Sequence, residues 1–576
     1  MLDLPPFRIM CIRLFMSMSS FVNLHSFKKI SGRLALLIGP LAVLLLGRYF
    51  VDSHWGSQRL FFSALLFALL ALPLNRWAAA VAAISFEGLL CHASWLKEGQ
   101  TGEPLLARDL FEVSQGVSLA SYLNWEMIVF ALLAILAIGL GVWKRPRFAW
   151  WRLVLALLLP TLLLVRIFDH GILTKTISNH LADHFNAPYL SYNFIQNTRQ
   201  NGLLVHLYQT AESVKLPAAG PHTFYQLGAL KTQEVIEPDV ALILCEACFT
   251  SLNDERFTTP IARLKEKGFS ASMMLSPVYG GGTAEAEFEM LTGLSSAVLP
   301  GIDYQNYASS YRSNAATLVS RYKDAGYRTI GMHNFHGNFW KRRDVYPSFG
   351  FDSTRFVEEM SWKSRTWPDD GLLYNAALKA YAEGPAKGKT MLSLVTVMTH
   401  GNYTDRDFDG GLGDYNQRLD AAVIYLEKFV KQLEAQAKKR KRPLVIALIG
   451  DHKPSLTAAF YRKGVFDDTF FRQKGARNDK FRFAYNLTPA QWRKRAEVPL
   501  FIKASTPELA ASMTSNLAEK PMFCLPGELA QLVPGQDPFW GALSSLCSRD
   551  PDTLVPTQQP AWRKVFEPAL FAERLF

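Results

Sequence analysis

Four strand-like apolar runs in the second half of the sequence each end on side chains that bind metals or move protons. They read VALILCE to Glu246, YRTIGMH to His333, LSLVTVMTH to His400, and LVIALIGDH to Asp451 and His452. Two carboxylates and one imidazole form a mixed hard and borderline donor set suited to a single zinc, manganese or magnesium ion. A fifth segment, SPVYGGGTAEAEFEMLTGL (276–294), adds a hydroxyl. Gly280 to Gly282 permit a tight turn, and Thr283 follows where a helix is predicted to start, at amides and a dipole end that favour an anion. A metal on the same oxygen would lower its pKa and make it a nucleophile. With His400 serving a leaving group or a second oxygen, the implied reaction is group transfer through a covalent phospho-threonine. The same segment also fits a simpler reading, Thr283 as an N-cap with Glu287 in the first turn.

Buried parallel strands read as continuous Val/Ile/Leu runs, and open α/β sheets gather their ligands beyond the carboxyl ends of such strands. From about residue 223 onward the runs alternate with helix-like stretches such as NQRLDAAVIYLEKFVKQLEAQAKKRK, predicting a mainly parallel sheet with crossover helices. The basic run Lys438 to Arg442 lies at that helix's C-terminal end and is expected to be a solvated terminus. Cys245 and Cys248 are expected to be a buried strand cysteine and an incidental neighbour. Cys524 and Cys547 would pair in an oxidising compartment.

A chain of 576 residues exceeds one hydrophobic core, and its apolar content is concentrated before residue 168. Five candidate spans lie near 33–51, 59–75, 77–95, 125–143 and 150–168. The second is short against the ~20 apolar residues that cross a bilayer core. Lys28, Lys29 and Arg33 before the first span, and Lys144, Arg145, Arg147 and Arg152 between the fourth and fifth, orient both ends inward. The expected layout is a cytoplasmic segment 1–32, a transmembrane domain 33–168, a juxtamembrane connector 169–222 with an amphipathic helix, and an extracytoplasmic catalytic domain 223–576. The loop 96–124 is expected to pack at the membrane surface. Glu87 within the third span either faces a bundle interior or sits near an interface. The net charge of +12 suits anionic lipid headgroups or phosphates, and no nucleic-acid-binding motif accompanies it.

The blocks ILCEACF, GGGTAEAEFEMLTG, HNFHGNFWKRRDVYPSFGFD, VMTHGNY and GDHKP, in this order, resemble the lipoteichoic acid synthase-like phosphoglycerol transferases, a sulfatase-like branch of the alkaline phosphatase superfamily. The resemblance covers roughly residues 223–500 and implies an α-helical membrane domain of about five helices followed by an α/β alkaline phosphatase/sulfatase-like domain. It implies metal ligands at Glu246, Thr283, Asp451 and His452, with Thr283 also the nucleophile. A headgroup pocket of His333, Trp340, Arg342 and His400 follows, the basic residue being uncertain among Lys341, Arg342 and Arg343. The implied partners are a phospholipid donor, phosphatidylglycerol or phosphatidylethanolamine, and a glycan or glycolipid acceptor at the outer face of the cytoplasmic membrane. One position departs from the pattern. Phosphoglycerol transferases of this kind often carry an acidic residue two positions after the first pocket histidine, where this chain has Phe335. Phosphoethanolamine transfer, a sulfatase- or phosphatase-type hydrolase, and a non-catalytic membrane scaffold are the competing readings.

Overall fold

In the sheet of the second half, side chains alternate between two apolar layers, as strands covered on both faces require. Val240, Leu242 and Leu244 point into one core, and Ala241, Ile243 and Cys245 into the other. The computed structural model describes residues 39–47, 57–101, 104–107, 109, 125–143, 194–211, 574–575 and, with short interruptions, 235–554. The chain divides into one unit of residues 1–92 with 123–169 and a second of 93–122 with 170–576.

In the second unit the sheet contains β1 (Asp239–Cys245), β2 (Ser270–Leu275), β3 (Tyr327–His333), β4 (Ser353–Arg355), β5 (Lys389–Val395), β6 (Leu444–Gly450) and β7 (Glu497–Ala504). Their order is β2-β7-β6-β1-β5-β3-β4. β1 pairs in parallel with β5 and β6, and β3 with β4 and β5, while β7 runs antiparallel to both β6 and β2. The four chemistry-bearing runs are thus the four adjacent central strands β6, β1, β5 and β3. Their carboxyl ends meet along one edge, although His400 lies five residues beyond the end of β5.

In the first unit, α1 (Ser57–Ala71) and α3 (Trp125–Trp143) are apolar helices, and α2 begins there as part of Arg76–Thr101. Among the described residues two helices are long and apolar enough to cross a bilayer, Arg76–Glu98 and Trp125–Val142. α1 is shorter than a full crossing, the described part of the first expected span, 39–47, is helical, and the rest of that span and the expected span 150–168 lie outside the described residues. Glu87 is 2% exposed and accepts the Ser63 hydroxyl at 2.9 Å, so it faces the interior of the helix group.

The expected connector contains two short helices, Phe194–Asn201 and Leu203–Ala211, and its remaining parts, 169–193 and 212–222, lie outside the described residues. The described part of the loop 96–124 contacts this connector through Ala107 N, which donates to Thr210 Oγ1 at 3.0 Å, and within the loop Lys97 pairs with Asp109 at 2.6 Å.

The sheet is mainly parallel, as expected, with β7 as the reversed strand. Cys524 and Cys547 are joined, as the sequence allowed. Two expectations are corrected. Cys245 and Cys248 are joined to each other. The basic run after the long helix Leu412–Arg440 is partly engaged: Arg440 donates to the Tyr381 and Gly388 carbonyls, and Arg442 pairs with Asp239 at 3.3 Å. Lys441, left-handed at φ 56°, ends that helix and turns the chain inward, which spacing alone does not reveal.

Gly450 closes β6 immediately before Asp451, and a Cβ there would lie 2.2 Å from the Cys248 carbonyl oxygen. Only a residue without a side chain lets the two strand-end turns meet. Gly450→Ala is therefore expected to lower stability by roughly 1–3 kcal/mol and to weaken metal binding, measured by thermal unfolding with and without manganese. An unchanged melting temperature would contradict this close approach.

Candidate active site

Each element delivers its side chain for a local reason. Glu246 follows the last residue of β1, and its backbone N–H donates to Thr396 Oγ1 at 2.9 Å while its carbonyl accepts from Thr399 Oγ1. Ala247, at φ 49°, bends the chain so that its N–H donates to Asp451 Oδ1 at 2.7 Å. His452 N donates to the same oxygen at 2.7 Å. Asp451 Oδ2 is thereby left facing Thr283.

The helix α4 (Thr283–Thr292) is buried along its whole length. Its N-cap is Gly282 at φ 94°, and Thr283 is the first helical residue. No side-chain capping bond is made, so the N-cap reading of Thr283 does not hold. Its Oγ1 instead lies 2.7 Å from Asp451 Oδ2 and 3.2 Å from Glu246 Oε2.

Donor atoms from Glu246, Asp451 and His452 lie within 4.8 Å of one another, and all three residues are buried. His452 Nδ1 faces the Lys453 carbonyl at 2.9 Å. A carbonyl only accepts, so Nδ1 carries a proton, and in the neutral ring Nε2 is the atom with the free lone pair. That Nε2 is buried with no hydrogen-bond partner, 3.2 Å from Asp451 Oδ2 and 3.6 Å from Glu246 Oε1. An orphaned imidazole lone pair among two carboxylates and a hydroxyl fits a divalent cation, and its Nδ1–H contact is the outer support such ligands use. Burial, then the charge of Asp451, pushes the Glu246 carboxyl up to about 8, against the pull of His452, Thr283 and Arg342.

The pocket histidines share that tautomer. His333 Nδ1 faces the Val395 carbonyl at 2.8 Å, and His400 Nδ1 faces that of Gly401 at 2.7 Å. Burial holds both imidazoles below their ordinary pKa, the Arg342 charge adding to the effect at His333. Both are neutral, with Nε2 as the acceptor. An aromatic series joins them: His333 to Phe335 at 6.1 Å, Phe335 to Trp367 at 5.3 Å, and Trp367 to His400 at 4.2 Å between ring centroids.

Of the residues expected in this pocket, Trp340 packs on Phe339 and the apolar core, and the tryptophan on His400 is Trp367. Trp367 lies in the aperiodic stretch SRTWPDD, which carries no signal for its placement. The three basic residues differ in burial. Arg342 is 1% exposed, Lys341 is exposed, and Arg343 reaches Glu358 and Glu359 at the surface. Arg342 Nε donates to Glu287 Oε2 at 2.8 Å, and Glu287 also accepts from the Tyr346 hydroxyl. Glu287 is thus no capping partner. The available signal was its spacing four residues after Thr283, which puts both on one helix face.

With this geometry in place, residues 238–520 match the sulfatase family model. That stretch, just under half of the chain, is similar in sequence to sulfatase domains. A Rhizobium meliloti (strain 1021) protein named for cyclic beta-1,2-glucan modification is 30% identical over 260 residues, covering 42% of this chain and 40% of that protein. The chain spans about two fifths of the length of the curated relatives it matches. Among solved structures, the Streptococcus pyogenes phosphoglycerol transferase GacH aligns with a TM-score of 0.41 and 15% identity over 61% of this chain and 89% of that one. The Neisseria meningitidis lipooligosaccharide phosphoethanolamine transferase A aligns with a TM-score of 0.43 and 13% identity over 85% of this chain and 95% of that one.

The raised Glu246 carboxyl sets a pH dependence. Its folded pKa exceeds the unfolded value, so the metal-free protein gains stability from its protonated form at low pH and loses it as pH rises toward about 8. Metal binding must displace that proton. Manganese affinity is expected to rise between pH 6 and pH 8, with proton release detectable by calorimetry in buffers of different ionisation enthalpy. Affinity independent of pH would show Glu246 already ionised.

Proposed function

We propose that the chain is a membrane-bound, metal-dependent phosphotransferase that moves phosphoglycerol from phosphatidylglycerol through phospho-Thr283 to an envelope glycan or lipid acceptor. The observation that carries this reading is Thr283 Oγ1 at the N-terminus of a buried helix, 2.7 Å from Asp451 Oδ2 and beside the orphaned His452 Nε2. Glu246, Thr283, Asp451 and His452 would hold one divalent ion, zinc, manganese or magnesium. When bound it supplies positive charge that favours the ionised hydroxyl and neutralises phosphoryl oxygens.

In the first step the Thr283 Oγ1–P bond forms as the bond from phosphorus to the diacylglycerol oxygen breaks, the threonine proton leaving in the diacylglycerol hydroxyl. The α4 amides face the phosphoryl oxygens. In the second step the acceptor oxygen bonds to phosphorus as the Thr283 Oγ1–P bond breaks, the neutral His400 Nε2 taking the acceptor's proton, which then returns to Thr283 Oγ1. His333, Arg342 and Trp340 belong to the headgroup side of the pocket in this reading, with Trp367 added by its contact with His400. The two bilayer-length helices support a membrane anchor, and the basic residues flanking the apolar segments support an extracytoplasmic domain facing lipid headgroups of the cytoplasmic membrane.

Phosphoethanolamine is the second headgroup, and one observation favours it. Phe335, where an acidic residue would meet glycerol hydroxyls, is packed among Phe339, Trp367 and His336, leaving an apolar wall.

Intact mass spectrometry of the detergent-purified chain, after incubation with manganese and either phosphatidylglycerol or phosphatidylethanolamine, tests both. A glycerophosphate adduct on the native chain and none on Thr283→Ala is the expected outcome. A phosphoethanolamine adduct would transfer the reading to the second headgroup. No adduct with either lipid despite bound metal would overturn the transferase reading in favour of a hydrolase or a scaffold.

A further inference from the structure

Beneath the nucleophile lies a buried charge pair that the proposed chemistry does not itself use. Glu287, one turn along α4 from Thr283, is fully buried, and its two oxygens divide between two residues of α5 (Arg342–Phe349). One accepts from Arg342 Nε at 2.8 Å and the other from the Tyr346 hydroxyl. Arg342 and Tyr346 stand four apart, on one face of α5.

The approach of α5 is unusual. Trp340 and Lys341 are both left-handed, at φ 55° and 50°, a conformation costly for residues with a Cβ. This double turn sends Arg342 inward while Lys341 and Arg343 stay outside. Buried ion pairs are often no more stabilising than apolar residues of similar volume, so their use is better explained by orientation than by stability. Binding Nε to a carboxylate fixes the plane of a guanidinium and therefore the direction of its remaining N–H groups. The Arg342 charge also reaches His333, whose imidazole it helps to keep neutral.

We propose that Glu287 is a positioning residue, clamping the Arg342 guanidinium to the helix that carries Thr283 so that a phosphoryl group held by Arg342 lies in line with Oγ1. This rests on the phosphotransferase reading above. It adds that the attacking oxygen and the phosphoryl-binding arginine share one rigid unit through a carboxylate that touches neither substrate nor metal.

The test uses the full-length, detergent-purified, manganese-loaded chain with inorganic phosphate as the probe. Glu287→Gln keeps the shape and removes the charge. Phosphate affinity by calorimetry is expected to weaken about tenfold, and the rate of Thr283 adduct formation to fall about a hundredfold, the scale of a 1 Å misplacement. In an Arg342→Met background, Glu287→Gln is expected to add nothing further, since its effect passes through the arginine. A lowered melting temperature with unchanged affinity and rate would reduce Glu287 to a structural role and overturn the proposal, as would equal effects in both backgrounds. Should Glu287→Gln fail to fold, Tyr346→Phe removes one of the two donors holding the carboxylate, and a several-fold loss of phosphate affinity is expected, unchanged affinity again overturning the proposal. Native protein that binds phosphate but forms no adduct with any lipid would sink the transferase reading, while the affinity comparison would still decide the role of Glu287. Native protein that binds no phosphate would overturn both.

Discussion

Two carboxylates, Glu246 and Asp451, converge in a space almost closed to water, where their repulsion is little screened and each has lost its hydration. Much of the surrounding architecture can be understood as offsetting that repulsion. One oxygen of Asp451 takes two backbone amides, from Ala247 and His452, and the other takes the Thr283 hydroxyl. Glu246 shares the same hydroxyl, and burial together with its neighbour raises its pKa. What is left over is an excess of electron-rich atoms around the His452 lone pair, and a divalent cation satisfies them all at once.

The sheet makes this convergence possible. β6 and β1 are adjacent and in parallel register, with Cys245 opposite Gly450, so the residues that follow them, Asp451 and Glu246, emerge side by side. Asp451 N donates to the Cys245 carbonyl, and the missing Cβ of Gly450 leaves room for the Cys248 carbonyl. The bond between Cys245 and Cys248 closes the turn that carries Glu246. On the far side of β1, β5 supplies Thr396 beneath Glu246 and the Val395 carbonyl that sets the tautomer of His333 at the end of β3. Four neighbouring strands therefore fix both the positions and the proton arrangement of the site.

The helix that begins at Thr283 has a different source of rigidity. α4 carries Glu285, Glu287 and Glu289, all buried, in a segment where carboxylates are expensive. Glu289 is held by Ser296, through both its N–H and its hydroxyl, and Glu287 by Arg342 and Tyr346. The Glu289 bonds fasten the helix to the turn that follows it, and the Glu287 bonds tie it to a distant part of the chain. Among the described residues of the first unit a polar contact of the same kind, Glu87 with Ser63, lies among apolar helices, where a carboxylate needs an internal partner.

The sequence by itself determined which atoms were available and roughly where each would emerge. Buried parallel strands must be apolar on both faces, so their runs and their polar endings are visible as text, and Glu246, His333, Asp451 and His452 could be placed at strand ends directly. A glycine run before Thr283 likewise marked a helix start, because tight turns need residues without a Cβ. Only the tertiary structure decided which of these atoms meet. The reversal of β7 depends on pairing across the sheet and leaves little trace in local periodicity. The choice of Arg342 over Lys341 and Arg343 depends on two left-handed residues just before it, and no propensity signals left-handed Trp and Lys. Glu287 looked like a helix-start carboxylate because its partners are 55 and 59 residues away. Local patterns record what a segment can bury, whereas the pairing of buried charges is a property of segments brought together from far along the chain.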